Sequence, residues 1–486
     1  MIYLAIVLLL VVPILRFGYH FGDLDHVILS LRGIANANPS AFVNDWFVHQ
    51  APQPHWHFDL FTQWGESLGL LREFYFAYWL ATMAVFLVAV FRICRHLGIE
   101  KFLPLAILLL VLEPLHLLGT IPLVGSWALP HFLGGALGLL ACSLWLEKKN
   151  IWLWIIVPLT SLIHTQHGAL VSLIIIIGSL PQFKDRYSTI LLGMLNLVIV
   201  FVAAKMRGLT EDGGIFVQMC RDYIQGHCFA PAWPSELFIP MIPLGVALII
   251  FGVRFWKKPS DSLAAIILVS SSIAFFGTLA DYLDIPFFAD LYRRYFMHRM
   301  TGYAMCFSLI GFIQVFLTRE ENKLQVWAFR SFMAIALIGI FVAPSSVFRE
   351  ETGLMDSAKT IPMMEDIGQK LRILIPSGET IVADPLIVWL RHASRRAVIT
   401  DIKALPYQAD TFKEWKLRFD DLGGYDFKKL PYESLLQVMK KYNSHFVLLS
   451  MNDPKYPKAV QLMKPLMQIG NEMVVFTLEE KALSQN

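Results

Sequence analysis

Apolar residues in this chain come in long uninterrupted blocks rather than in amphipathic stripes. The blocks long enough to approach a bilayer crossing, roughly 17–25 residues, are Ile2–Phe17, Phe74–Ile93, Phe102–Leu118, Leu129–Leu146, Tyr187–Ala204, Leu237–Val253, Leu263–Ala280, Thr301–Leu317 and Val326–Val342. Between Ile151 and Leu180 lie two shorter apolar halves, split by His164-Thr165-Gln166-His167-Gly168. They read as two short or tilted spans that meet, or as one span with a re-entrant segment. The pattern predicts about eleven spans by hydropathy.

Two stretches break the pattern. A polar loop from residue 18 to residue 71 follows the first block. The chain from 345 to 486 alternates short β-rich runs with helical periodicity. Strands are expected at Thr380–Ala383, Ala397–Thr400, His445–Leu449 and Met473–Phe476, and helices at Pro362–Ile373, Asp410–Asp421, Tyr432–Tyr442 and Pro457–Gln468. The fold class is therefore mainly α: a polytopic helical membrane bundle over 1–344, with a small C-terminal α/β domain over 345–486.

Charge gives the topology. Arg92/Arg95/Lys101, Lys148/Lys149, Lys184/Arg186, Arg254/Lys257/Lys258 and Arg319/Lys323 fall in alternate short loops, which the positive-inside rule puts in the cytoplasm. The long first loop, the loops Lys205–Glu236 and Asp281–Met300 and the C-terminal domain are then extracytoplasmic. Arg293, Arg294 and Arg299 run against this bias. No Asn-x-Ser/Thr acceptor with x other than Pro occurs, which favours a bacterial plasma membrane.

Composition agrees. Of the 486 residues 56% are hydrophobic and only 16% charged, against about 25% in soluble domains. A net charge of +3, with its basic residues in short loops, excludes a nucleic-acid footprint. The five cysteines have no metal-binding spacing. Cys220 and Cys228 share one polar loop, where a disulfide can form if the loop is extracytoplasmic.

Candidate chemistry concentrates at one membrane face. Asp23 and Asp25 follow the first block directly. Two carboxylates two positions apart can act as general base or help to hold a divalent cation, or can stabilise a turn. Asp45 lies in Asn44-Asp45-Trp46-Phe47, and His49, His55, His57 and Asp59 follow. His164 and His167 could orient a substrate hydroxyl or contact phosphate, or bond locally at a helix break. Arg293, Arg294, His298 and Arg299 suit either a phosphate or interfacial anchoring beside Tyr292, Tyr295 and Phe296. Glu113 and His116 lie toward the end of a span. Arg391, His392, Arg395 and Arg396 read as a surface charge pattern, or as part of a cap that recognises acceptor or headgroup.

The order of these motifs resembles the glycosyltransferase-C superfamily of membrane enzymes. The resemblance is carried by Gly22-Asp23 with Asp25 after the first span, by Pro39…Asn44-Asp45-Trp46-Phe47, and by His164-Thr165-Gln166-His167-Gly168. Arg396-Ala397-Val398, Lys403-Ala404-Leu405-Pro406 and Glu414-Trp415-Lys416-Leu417-Arg418 extend it into the tail. It implies an inverting transferase taking a sugar from a polyprenyl-phosphate-linked donor to a glycan, lipid or protein acceptor. Asp23 would be the base and Asp25 second, with the cationic residues near the leaving phosphate. No cofactor is required by these motifs, a divalent cation being the one candidate. Two rival expectations are a catalytically silent scaffold of polysaccharide assembly and a transporter of a lipid-linked solute.

Overall fold

A computed structural model describes residues 19–22, 25–52, 55–103, 106, 123–125, 127–206, 213–317 and 360–478. The chain divides into two compact units. One comprises 1–19, 76–206 and 212–357; the other joins 20–75 and 207–211 to 358–486. The first loop and the tail thus belong to one body.

Among the described residues, four runs are long and apolar enough to cross a membrane: Leu71–His96, Thr165–Lys205, Ser262–Tyr282 and Met297–Phe316. About eleven crossings were expected; the described residues support only these four. Three of the expected blocks, Ile2–Phe17, Phe102–Leu118 and Val326–Val342, lie wholly or mostly outside the described residues. Others form shorter helices, at or below the lower end of the roughly 17–25 residues of a crossing. Pro130–Leu146 and Met241–Lys257 have 17 residues each and Asn150–Ile163 has 14. At 1.5 Å per residue they span about 21–26 Å, less than the ~30 Å hydrocarbon core. Pro130–Leu146 is buried on nearly every side. Its uniform hydrophobicity reflects a helix surrounded by protein, which a hydropathy window cannot tell from one surrounded by lipid.

The Thr165–Lys205 run is a helical hairpin. Thr165–Ser179 folds back on Phe183–Met206 through a tight turn at Leu180–Gln182. Buried polar bonds tie it together: Asn196 Nδ2 donates to Ser172 Oγ at 2.8 Å, and Ser161 Oγ donates to Asn196 Oδ1 at 2.9 Å. Such bonds hold helices together where apolar contact alone gives no preference over lipid. Cys220 and Cys228 are joined in a disulfide.

The second unit has a five-stranded mixed sheet. Its strands are β1 (Thr380–Val382), β2 (Ala397–Val398), β3 (Phe446–Ser450), β4 (Lys464–Ile469) and β5 (Met473–Thr477), in the order β2-β1-β3-β5-β4. β2, β1 and β3 run parallel, while β5 is antiparallel to both β3 and β4. Both faces are covered, so β3 is apolar without alternation. Val447 and Leu449 face a core with Leu435 and Met439 of the helix Tyr432–Lys441. Phe446 and Leu448 face a second core with Ile367 and Leu371 of the helix Thr360–Leu374.

The tail also corrects one expectation. A helix was expected over Pro457–Gln468, but it covers only Tyr456–Leu462 before β4 begins. Gly470, at φ 57°, turns β4 back onto β5. Pro465 lies at a register shift on this edge strand, where its missing N–H breaks no ladder of a central strand. Pairing with β5 overrides the local helical periodicity.

Candidate functional site

In the second unit, the first loop is fastened to the tail by the motifs that were singled out in each. Asp45 caps the helix Trp46–Gln50, accepting from the Val48 N–H at 3.1 Å. Its other oxygen accepts from Arg391 Nε at 2.8 Å and from the Val398 N–H at 3.1 Å. Arg391 Nη1 also donates to Asp401 Oδ2. Burial works against the Arg391 charge, but Asp401 and Asp45 outweigh it and hold the guanidinium above its ordinary value. Asn44 Nδ2 donates to Gly378 O at 2.5 Å, Trp46 lies 5.0 Å from the Arg418 guanidinium, and Phe47 lies 5.5 Å from that of Arg391. Trp415 Nε1 donates to Asp401 O at 3.0 Å. Asp45 therefore pins segments 346 residues apart, with its oxygens fully engaged.

The tail cations do not form a solvated surface pattern. Arg391 and Arg396 are buried. Arg396 donates to Ile375 O and Arg372 O, each at 2.6 Å. Backbone carbonyls of neighbouring segments, not water, take up its charge, and no sequence window displays those partners.

Asp23 lies outside the described residues, as do Glu113 and His116. Asp25 is exposed and pairs with Lys403 at 3.0 Å, a contact of the kind worth under about 1 kcal/mol. His49 Nε2 donates to Phe42 O at 2.8 Å. Asp59 is buried, and burial pushes its carboxyl up to about 7 against the opposing pull of Arg32. Arg32 itself donates to Val48 O at 3.2 Å and Ala51 O at 2.7 Å. Among the described residues no group of three or more His, Cys, Asp or Glu side chains is arranged to hold a metal ion.

The first unit contains two polar clusters of its own. In one, His167 bridges two partners: its Nδ1 lies 2.8 Å from Tyr303 Oη and its Nε2 2.8 Å from His131 Nδ1. A neutral His167 must donate on one side and accept on the other, so the three groups form a directional chain. Beside it, Arg299 Nη1 lies 3.0 Å from His164 Nε2 and also donates to Gln166 Oε1. A guanidinium only donates, so His164 accepts through Nε2 and is neutral in this arrangement. His164 has extended backbone between the helices Asn150–Ile163 and Thr165–Ser179. Glycines at 134 and 138 let the neighbouring helix come close. A Cβ at Gly134 would lie 2.6 Å from the His164 Cβ, and one at Gly138 would lie 2.1 Å from the Tyr303 hydroxyl.

The other cluster is built on Asp281, at the end of the helix Ser262–Tyr282. Its Oδ1 accepts from Arg293 Nε at 2.5 Å; its Oδ2 accepts from His298 Nε2 at 3.2 Å and the Ala230 N–H at 2.8 Å. Asp284 reaches Arg293 at 2.7 Å. Tyr292 and Trp233 pack on the His298 ring at 4.3 and 4.9 Å. Arg293 is thus wholly buried and its charge is already matched. Arg294 is exposed, and Arg299 is half-buried.

No motif in the sequence marks His131, Tyr303, Asp281 or Asp401. An ionisable side chain beside an apolar block was the available signal for His131 and Asp281. Nothing local marked Tyr303 or Asp401.

No protein-family model matches this chain. No curated protein matches it. Among solved structures it is similar to the oligosaccharyltransferase of Archaeoglobus fulgidus, crystallised with a tethered acceptor peptide. The TM-score is 0.54 and the identity 11%, over 99% of this chain and 74% of the other. The shared feature is the fold.

Proposed function

We propose that this chain is an integral-membrane glycosyltransferase. It moves a sugar from a polyprenyl-phosphate-linked donor to an extracytoplasmic glycan, lipid or protein acceptor, in the plasma membrane of a bacterium. The observation that carries this reading is the fold shared with an oligosaccharyltransferase over nearly the whole chain. The apolar runs support a membrane setting. The Cys220–Cys228 disulfide supports an oxidising compartment for its loop.

In this reading the acceptor oxygen attacks the anomeric carbon as its proton passes to Asp23, with Asp25 second. The bond from that carbon to the lipid phosphate breaks with inversion. Arg299, oriented by His164 and Gln166, meets the departing phosphate, where a preorganised cation is worth most. Arg293 and His298 shape that region through Asp281, exposed Arg294 is a further substrate contact, and His167 acts through its bridge between Tyr303 and His131. Transport of a lipid-linked solute is the second reading, supported by the helix break at His164.

The test is Asp23→Asn, assayed with a lipid-linked donor. Transfer is expected to disappear while membrane level and melting temperature stay at wild-type values. Undiminished transfer would remove the enzymatic reading in this form.

A further inference from the structure

A cavity of about 200 Å³ lies wholly within the second unit. Its walls include Phe21, Arg372, Trp389, His392 and Arg395, with Glu365 exposed beside them. Arg372 belongs to the helix Thr360–Leu374; Trp389, His392 and Arg395 surround the short helix Leu390–Ser394. Glu365, Gln369 and Arg372 fall at helical spacing, so one face of the longer helix lines the cavity.

Arg395 is the unusual member. Its backbone is left-handed, at φ 54°, a conformation bulky residues rarely adopt. That backbone is held by its N–H, which donates to Arg391 O at 3.1 Å, and by its carbonyl, which accepts from the Phe42 N–H at 3.1 Å and from Arg396 Nη1 at 3.3 Å. Its side chain is 13% exposed and reaches Glu66 only at 3.5 Å, through Nη2. Nε and Nη1 are buried and have no hydrogen-bond partner among the described residues. Buried donors on a cation are costly to leave unmade, and native structures rarely do so without an unseen ligand or water. Arg372 commits its Nε to Gly368 O at 3.3 Å. His392 shows the sign of the local field. Burial first, then Arg395, His26 and Arg372, hold its imidazole well below the ordinary histidine value, so it stays neutral beside two guanidinium groups.

The geometry points to an oxyanion-binding subsite in which Arg395 and Arg372 hold one carboxylate or phosphoryl group, with Trp389 and Phe21 forming apolar walls beside it. The volume suits a single anionic group or one acidic sugar ring rather than an oligosaccharide. Only the source of the anion rests on the transfer reading above: an acidic substituent on the acceptor or the transferred glycan. The binding itself does not.

The full-length protein in detergent is titrated calorimetrically with inorganic phosphate and with glucuronate, and with glucose as the neutral control. Saturable binding of at least one anion and none of glucose is expected, with affinity reduced tenfold or more in Arg395→Gln and in Arg372→Gln. Binding of phosphate alone assigns the subsite to a phosphoryl group; binding of glucuronate alone assigns it to a uronic acid; both support the shared chemistry. If Arg395→Gln does not fold, Arg372→Gln decides. Absence of saturable binding to the wild type, or equal binding by the folded variants, overturns the subsite. That result would leave the Asp23→Asn test untouched, just as undiminished transfer by Asp23→Asn would leave the subsite standing.

Discussion

Each unit of this protein buries one arginine in a carboxylate clamp, and the two clamps differ in reach. Arg293 takes Asp281, 12 residues away, with Asp284 at 2.7 Å and Asp290 at 3.7 Å as further carboxylates. Arg391 takes Asp401, 10 residues away, and Asp45, 346 residues away. The first clamp secures one turn of chain against the helix it has just left. The second fastens the first loop to the tail. Loop closure over such a length costs entropy, and Arg391 sets two carboxylates against it through Nε and Nη1, with little access to water. A buried pair of this kind specifies an arrangement more than it adds net stability.

The largest expected effect breaks the long-range clamp. Arg391→Met leaves Asp45 and Asp401 buried without their cation and should destabilise the second unit by about 3–5 kcal/mol. Thermal melts and limited proteolysis of the purified full chain would register this as early loss of the tail; a melting temperature within error of wild type would show that the clamp holds nothing together.

Asp59 sharpens the comparison, because it is a buried carboxylate in the same unit whose arginine neighbour, Arg32, is committed to two backbone carbonyls. Its folded value of about 7 lies above the unfolded one, so the native state binds the extra proton. Its contribution to stability is therefore fullest below about pH 4, is lost as pH rises toward 7, and levels off beyond, for a total of at most roughly 4 kcal/mol. Asp59→Asn should flatten that slope and raise stability at pH 8, measured by denaturation across pH 4–8. An unchanged pH profile would mean that Asp59 titrates like an exposed carboxylate.

The local clamp should be more forgiving. Asp281→Asn leaves Asp284 and Asp290 near Arg293 and should cost about 2 kcal/mol, less than Arg391→Met in the same melting experiment. A larger loss would make Asp281 the stronger anchor and reverse the comparison. Smallest of all is Lys403→Ala. It removes an exposed pair with Asp25 and should move stability by less than about 1 kcal/mol. A shift beyond that in a denaturant titration would show the pair to be shielded from solvent.

Legibility followed the same division. Where local pattern decides, the sequence was readable: β1, β2, β3 and β5 lie where β-rich runs between turn signals put them. The helix Ala409–Asp421 is the amphipathic stretch expected at Asp410–Asp421. Where partners decide, it was not. β4 reads as helix until β5 pairs with it. Pro130–Leu146 reads as uniformly apolar, and only its neighbours show that protein covers nearly every side of it. Arg391 and Arg396 read as surface charge until backbone and carboxylates surround them. His167 was singled out, but its partners His131 and Tyr303 lie 36 and 136 residues away and leave no local trace.

By itself the sequence determined the apolar blocks, the polar loop after the first of them and the change to an α/β tail, because each rests on the periodicity and composition of contiguous residues. Only the tertiary structure decided that this loop and tail form one body, that Asp45 is committed to Arg391, and that Arg395 lines a cavity with unmet donors. Burial and pairing belong to residues brought together from distant parts of the chain, and no single stretch carries that information.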